Sequence, residues 1–449
     1  MQSLSSTIRG TSTWAFKSLR AGSINLFGAL MLANGVGYLY QMLMARMMTP
    51  ADYGVLVTLT SISYVLTVLM RTVQAWVIKA VASRRSGTVQ LVFWVALRAM
   101  VPLGILAFAA IWLASGAAAD FLQISNSTPL IVLGLYTFSS FLVPVPRGLL
   151  LGVKKISAAS FVLVLEPLVR VGSAVMLVAW GLSVNGAIAG FAVGNFVSFT
   201  VSLFLIGSLL THKAQPNAGE ESEKLRAIDP YAFVMLAVNT CLMVMSSVDQ
   251  VAVKHYFSEQ IAGQYAVAFL LGRVIVMVAM SLGWVVFTRS ATMLPGDPRR
   301  AHLMTRALVL VGAISVALTG AYLVAPGLAV HLMGGADYSS AVQYVGMVGI
   351  EMTLFSLIYI QAYYLISLRK TQVIWPLLIG VALEVGFIAE YHDTVTELLV
   401  GLISVMSMLL MVVSGLSWWM LRAHADSAIA VARPSANSEI SDITRQGVA

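Results

Sequence analysis

Residues Pro144 to Arg170 read PVPRGLLLGVKKISAASFVLVLEPLVR. An apolar helix end runs into a basic turn. A second apolar helix follows, with a glutamate and an arginine inside it. Gln361 to Lys370, QAYYLISLRK, repeats the first part of the pattern. In both places a hydrophobic run closes on a small residue, a Leu or Val, and two cations: Gly152-Val153-Lys154-Lys155 and Ser367-Leu368-Arg369-Lys370. A membrane protein built from two similar halves gives such an echo.

The rest of the chain agrees with a bilayer. Of 449 residues, 59 % are hydrophobic and 10 % charged, and the mean hydropathy is +0.87. A soluble domain carries roughly a quarter charged residues, so this chain cannot cover a surface facing water. The net charge of +8 is spread over many short loops, which fits cytoplasmic loops better than a nucleic-acid interface. The single cysteine, Cys241, excludes an internal disulfide and a cysteine-based zinc site. Met1 to Arg20 is polar and basic and lacks the apolar core of a signal peptide.

Apolar runs of about 20 residues predict twelve spans, near 22–45, 54–78, 89–114, 129–151, 156–180, 184–210, 230–254, 261–287, 302–325, 340–366, 371–390 and 396–421. They are too long for barrel strands. Lys and Arg alternate with them. One set of loops holds Arg9, Lys17, Arg20, Lys79, Arg84, Arg85, Lys154, Lys155, Lys213, Arg289, Arg299, Arg369, Lys370 and Arg422; the opposite set holds little beyond Arg46 and Lys254. That bias predicts a multi-pass protein of the cytoplasmic membrane with both termini in the cytoplasm.

The expected organisation is a cytoplasmic segment 1–21, an N-lobe 22–211, a linker 212–229, a C-lobe 230–424 and a disordered tail 425–449. The fold class is an all-α polytopic membrane protein of about twelve helices, in two six-helix lobes around a central cavity. The halves also echo in their first hairpins. Pro50-Ala51-Asp52-Tyr53-Gly54-Val55 aligns with Ala262-Gly263-Gln264-Tyr265-Ala266-Val267. Six spans per half place the symmetry axis along the membrane normal, as in parallel-repeat transporters.

Four motifs carry a resemblance over about residues 20 to 420. They are Leu43 to Gly54, LMARMMTPADYG; Arg147 to Gly152, RGLLLG; Asp249 followed by Gly263-Gln264-Tyr265; and Gly334 to Tyr338, GGADY. In order and spacing the chain resembles the polysaccharide (O-antigen type) flippases of the multidrug/oligosaccharidyl-lipid/polysaccharide (MOP) exporter superfamily. The resemblance implies a two-lobed, MATE-like transporter that moves a lipid-linked oligosaccharide with its diphosphate across the membrane. It implies no cofactor. Its partners would be membrane lipids and the polymerase or glycosyltransferases of the same glycan.

Ionisable side chains inside spans cost roughly 2.5–3.5 kcal/mol on insertion scales and usually face a cavity or a partner. Arg71, Arg98 and Arg273 are the candidate substrate-binding residues, because a guanidinium stays charged and grips phosphate with two hydrogen bonds. The bland alternative is that each pairs with a carboxylate or snorkels. Glu166 and Arg170, four apart in the favourable order, read as a structural charge pair beside a kinking Pro167. Glu351 and Glu384 have no cation nearby in sequence and are the candidate ion-coupling groups, since burial favours the neutral acid and a carboxyl there can take up and release a proton. Asp249, near a span end, reads as a structural contact. The six histidines sit at span ends or in loops, which argues against a metal site or a histidine relay.

Two other classes compete, and a non-transporting scaffold for a biosynthetic complex is a third alternative. A drug or cation antiporter of the same superfamily would favour an acidic cavity, against the arginines counted here. A membrane-embedded glycan enzyme or ligase would need a large outer loop or a catalytic domain, and neither is visible. A P-loop, GxxxxGK[ST], is absent, so the chain does not hydrolyse ATP itself.

Overall fold

The computed structural model describes residues 25–26, 28–82, 88–210, 230–293 and 299–432. The expected segments 1–21 and 212–229, and the tail beyond 432, lie outside them. The helices, in chain order, are α1 (28–47), α2 (Pro50–Ala82), α3 (Thr88–Phe121), α4 (Thr128–Leu142), α5 (Pro144–Gly152), α6 (Ile156–Leu177) and α7 (Ser183–Leu210). Then come α8 (Pro230–Met245), α9 (Val248–Tyr256), α10 (Glu259–Thr292), α11 (Arg299–Val324), α12 (Pro326–Met333), α13 (Val342–Ser367), α14 (Ile374–Glu390) and α15 (Val395–Ala432). No strand occurs among the described residues.

Nine helical segments among these residues are long and apolar enough to cross a membrane. The count rises to ten when the pair Phe233–Met245 and Val248–Tyr256, bent by 43°, is taken as one span. The expected twelve is not reached by this measure. One reason is that Ile156–Gly207 counts as a single 52-residue segment, although it folds back on itself. Gly181, at φ +88°, breaks the helix within a π turn, Val178–Leu182. Beyond it Gly186, Gly190 and Gly194 lie against Leu177, Ala174 and Glu166 in antiparallel order. At Gly190 a β-carbon would stand 2.6 Å from that of Ala174, so small residues let these backbones meet.

The described residues form two compact units. Unit 1 takes those of Met1–Ala232, with Gln250–Val267 and His331–Ser339; unit 2 takes Phe233–Asp249, Ala268–Val330 and Ser340–Ala449.

The core of unit 1 gathers Val77, Val92, Phe93, Val145, Leu149 and Val162. The RGLLLG motif has a steric cause here. A β-carbon on Gly148 would stand 2.9 Å from the Val77 side chain, and one on Gly152 2.9 Å from that of Val81. The four-residue spacing keeps both glycines on the face of α5 that meets α2. Outside, Phe204, Leu113 and Trp180 are 81, 76 and 73 % exposed, as on helices whose outer solvent is hydrocarbon.

In unit 2 the central element is α13, buried at most positions from Tyr344 to Ser367. It ends in Leu368-Arg369-Lys370, the later of the two cationic turns. Both turns adopt one backbone motif. Lys154 and Arg369 are left-handed, at φ 60° and 56°. Lys154 N–H donates to Leu151 O and Lys155 N–H to Leu150 O; Arg369 N–H donates to Ile366 O and Lys370 N–H to Leu365 O. These are the paired bonds of a Schellman helix end. The sequence echo is therefore a structural one, with a cation in the position glycine usually takes.

Candidate functional site

Unit 1 holds a charge cluster built by three helices. On α6, Glu166 and Arg170 lie one turn apart, and the Arg170 guanidinium donates to Glu166 Oε1. A second arginine, Arg147 of α5, donates through Nη2 to Glu166 Oε2 at 2.6 Å and to Ser198 Oγ of α7 at 3.2 Å. The Arg170 guanidinium lies over the Phe191 ring, 4.4 Å from its centroid. Phe191 is flanked by Tyr40 at 4.9 Å and Tyr136 at 5.0 Å. The local pair read from the sequence is thus one carboxylate shared by two guanidiniums. The sequence shows Arg147 near a span end but not its pairing, because 19 residues and the basic turn separate it from Glu166. The signal available was RGLLLG itself, which fixes the α5 face against α2.

In unit 2, Glu351 of α13 and Glu384 of α14 are both fully buried. None of their four carboxyl oxygens has a hydrogen-bond partner among the described residues. Asp249, at the start of α9, is also fully buried. It lies close enough to act electrostatically on both glutamates, and Glu384 acts on Glu351. The structure therefore gathers three carboxyl groups from α9, α13 and α14. Asp249, read from the sequence as a contact near the span end, is one of them. Among the described residues no three His, Cys, Asp or Glu side chains stand close enough to hold a metal ion.

The three arginines expected to meet substrate divide between the two units. Arg71 of α2 and Arg98 of α3 belong to unit 1, and both are exposed. Neither takes part in an ion pair among the described residues. Arg273 of α10 belongs to unit 2 and is half-buried. It donates to Ser247 Oγ at 2.6 Å, and its guanidinium lies 5.0 Å from the Phe269 ring centroid. It gives no hydrogen bond to Glu351 or Glu384, whose oxygens accept none.

Apolar helices of spanning length, with charged groups set inside them, define a multi-pass membrane protein, and its fold is that of the MOP-superfamily transporters. An inward-facing multidrug resistance MATE family transporter of that superfamily superposes with a TM-score of 0.68 at 11 % identity, over 90 % of this chain and 99 % of the other. The lipid II flippase MurJ, in an inward closed conformation, gives 0.64 at 12 % identity, over 90 and 87 %. A MOP superfamily transporter from Pyrococcus furiosus gives 0.56 at 12 % identity, over 90 and 96 %. No curated protein matches the sequence. A family model described as polysaccharide biosynthesis protein matches residues 43–343, and the chain belongs to that family.

Proposed function

We propose that this protein is a transporter that flips a lipid-linked oligosaccharide, carried on a polyprenyl diphosphate, across the cytoplasmic membrane for the synthesis of a cell-envelope polysaccharide. The observation that carries this reading is the exposure of Arg71 and Arg98. Arg71 and Arg98 lie seven and nine residues inside the predicted spans 54–78 and 89–114, roughly 10–14 Å from an end and within a hydrocarbon core about 30 Å thick. A guanidinium exposed at that depth is costly against acyl chains, so the exposure of both supports a hydrated path. Such a path suits an anion. Arg273 of unit 2 adds a third cation of the same chemistry, and the loop charges support a cytoplasmic location for both termini. Membership of the polysaccharide biosynthesis family supports a glycan-bearing cargo.

The buried carboxyls of unit 2 supply the coupling. A carboxylate without a donor is costly in a dry interior, so Glu351 and Glu384 carry charge only while the surroundings change or a cation arrives. They act as proton carriers in an alternating-access cycle.

The test is transport by the full chain in proteoliposomes. Labelled polyprenyl diphosphate oligosaccharide is loaded on one leaflet, with a cationic dye as comparison, under an imposed pH gradient. Movement of the lipid-linked sugar is the expected result. Movement of the dye alone would replace this reading with a drug antiporter.

A further inference from the structure

We propose that Arg147, Glu166 and Arg170 form a phosphate-binding site within unit 1. None of the three is among the arginines assigned above to the hydrated path. As a receptor for phosphate the site stands by itself; as a subsite for the transported lipid it rests on the reading above.

The first observation is charge. One carboxylate faces two guanidiniums, and the other ionisable neighbours acting on Arg170 are the tyrosines Tyr136 and Tyr64. The cluster therefore holds one positive charge in excess, inside helices of spanning length. A single arginine would have neutralised Glu166, and an added buried charge is expensive unless something balances it.

The second is unused donor capacity. Each guanidinium has five N–H groups. Arg147 uses them on Glu166 and Ser198, and Arg170 on Glu166. The Nε of each is buried with no acceptor among the described residues. A buried donor left unpaired costs about 1–3 kcal/mol, which an incoming acceptor would recover.

The third is preorganisation with access. Ser198, fully buried, holds Arg147, and Phe191 holds Arg170. The three charged side chains nevertheless remain 13, 14 and 19 % exposed. Two fixed guanidiniums, one of them held by a serine hydroxyl, match a phosphate, which accepts forked hydrogen bonds and carries the charge the cluster lacks.

The experiment measures binding, not transport. The full chain in phosphatidylcholine nanodiscs is titrated with geranylgeranyl diphosphate and, separately, with geranylgeraniol. Arg147→Gln is the decisive variant, because it leaves Glu166 and Arg170 as a neutral pair; Arg170→Gln is run beside it. The diphosphate should saturate the wild type and bind at least about tenfold more weakly to Arg147→Gln, the equivalent of losing one charge-assisted contact. Geranylgeraniol should not distinguish the proteins. Competition by inorganic pyrophosphate would point to a free anion, and competition by phosphatidylglycerol in the disc to a lipid headgroup. The proposal is overturned if wild type shows no saturable binding, or if Arg147→Gln keeps its affinity. If the diphosphate binds but proteoliposomes move no lipid-linked sugar, the transport reading fails and the site stands.

Discussion

Gly54 and Gly263 meet backbone to backbone. A β-carbon on Gly54 would stand 2.8 Å from the Gly263 amide nitrogen and 3.1 Å from its Cα. A β-carbon on Gly263 would fall on the Pro50 carbonyl. These residues belong to the two hexamers that echo each other in sequence, and in unit 1 the hexamers pack on one another. Around them, Gln250 Nε2 donates to Thr58 Oγ1 at 3.0 Å, Gln264 Nε2 donates to Asp337 O at 2.8 Å, and the Tyr53 and Tyr338 rings meet edge-on at 5.7 Å.

Backbone atoms cannot rotate aside as a side chain can. Gly263→Ala should therefore destabilise more than Gly54→Ala, at or above the upper end of the roughly 1–3 kcal/mol usual for overpacking. Thermal denaturation of the purified protein in detergent measures both. An unchanged melting temperature for Gly263→Ala would mean that the two backbones are not apposed.

The cluster around Glu166 predicts an asymmetry. Arg147→Gln leaves a neutral pair. Glu166→Gln leaves two guanidiniums without a counter-charge, and removing the shared partner of a buried pair costs about 3–5 kcal/mol. Glu166→Gln should be far less stable than Arg147→Gln by the same melting assay. Equal losses would show that the two arginines do not share one carboxylate.

The arginines of the proposed path divide by environment. Arg71 is exposed, so Arg71→Ala should leave the melting temperature unchanged and abolish movement of lipid-linked sugar. Arg273 holds Ser247 and Phe269, so Arg273→Ala should lose transport and also about 1–2 kcal/mol of stability. Normal transport by both would remove the basic path.

How much of this was legible in the sequence depends on distance along the chain. The spanning helices follow from apolar runs, and both cationic turns from a pattern of four residues. Glu166 with Arg170 is a pairing that helical spacing alone places on one face. Through-space meetings were not legible. Arg147 reaches Glu166 only because α5 and α6 turn back at Lys154. Asp249 acts on Glu351 and Glu384 from a different helix, and no periodicity records that. The grouping of Gln250–Val267 with unit 1 likewise depends on glycine contacts whose partners lie some two hundred residues away.

Glu351 and Glu384 are isolated from donors, so their carboxyls contribute little to packing that an amide of equal shape would lose. Glu351→Gln and Glu384→Gln should melt within about 1 kcal/mol of the wild type. Each should also uncouple transport from an imposed pH gradient. If both keep the gradient dependence, the carboxyls of unit 2 are structural and the coupling proposal fails.

The Schellman ends give the most local prediction. Lys154 sits at φ 60° and is exposed. A residue with a β-carbon pays for the left-handed region, and glycine does not. Lys154→Gly should therefore stabilise the protein by about 0.5–1 kcal/mol. Lys155 remains to keep a positive charge in the turn and still donates through Nζ to Leu205 O at 3.0 Å. The control is one residue earlier. Val153, at φ −83°, gains nothing from glycine and loses a packed side chain, so Val153→Gly should destabilise. A gain at Lys154, where glycine would otherwise cost backbone entropy, marks the left-handed conformation. Two losses would mean that the turn at Lys154 is not left-handed.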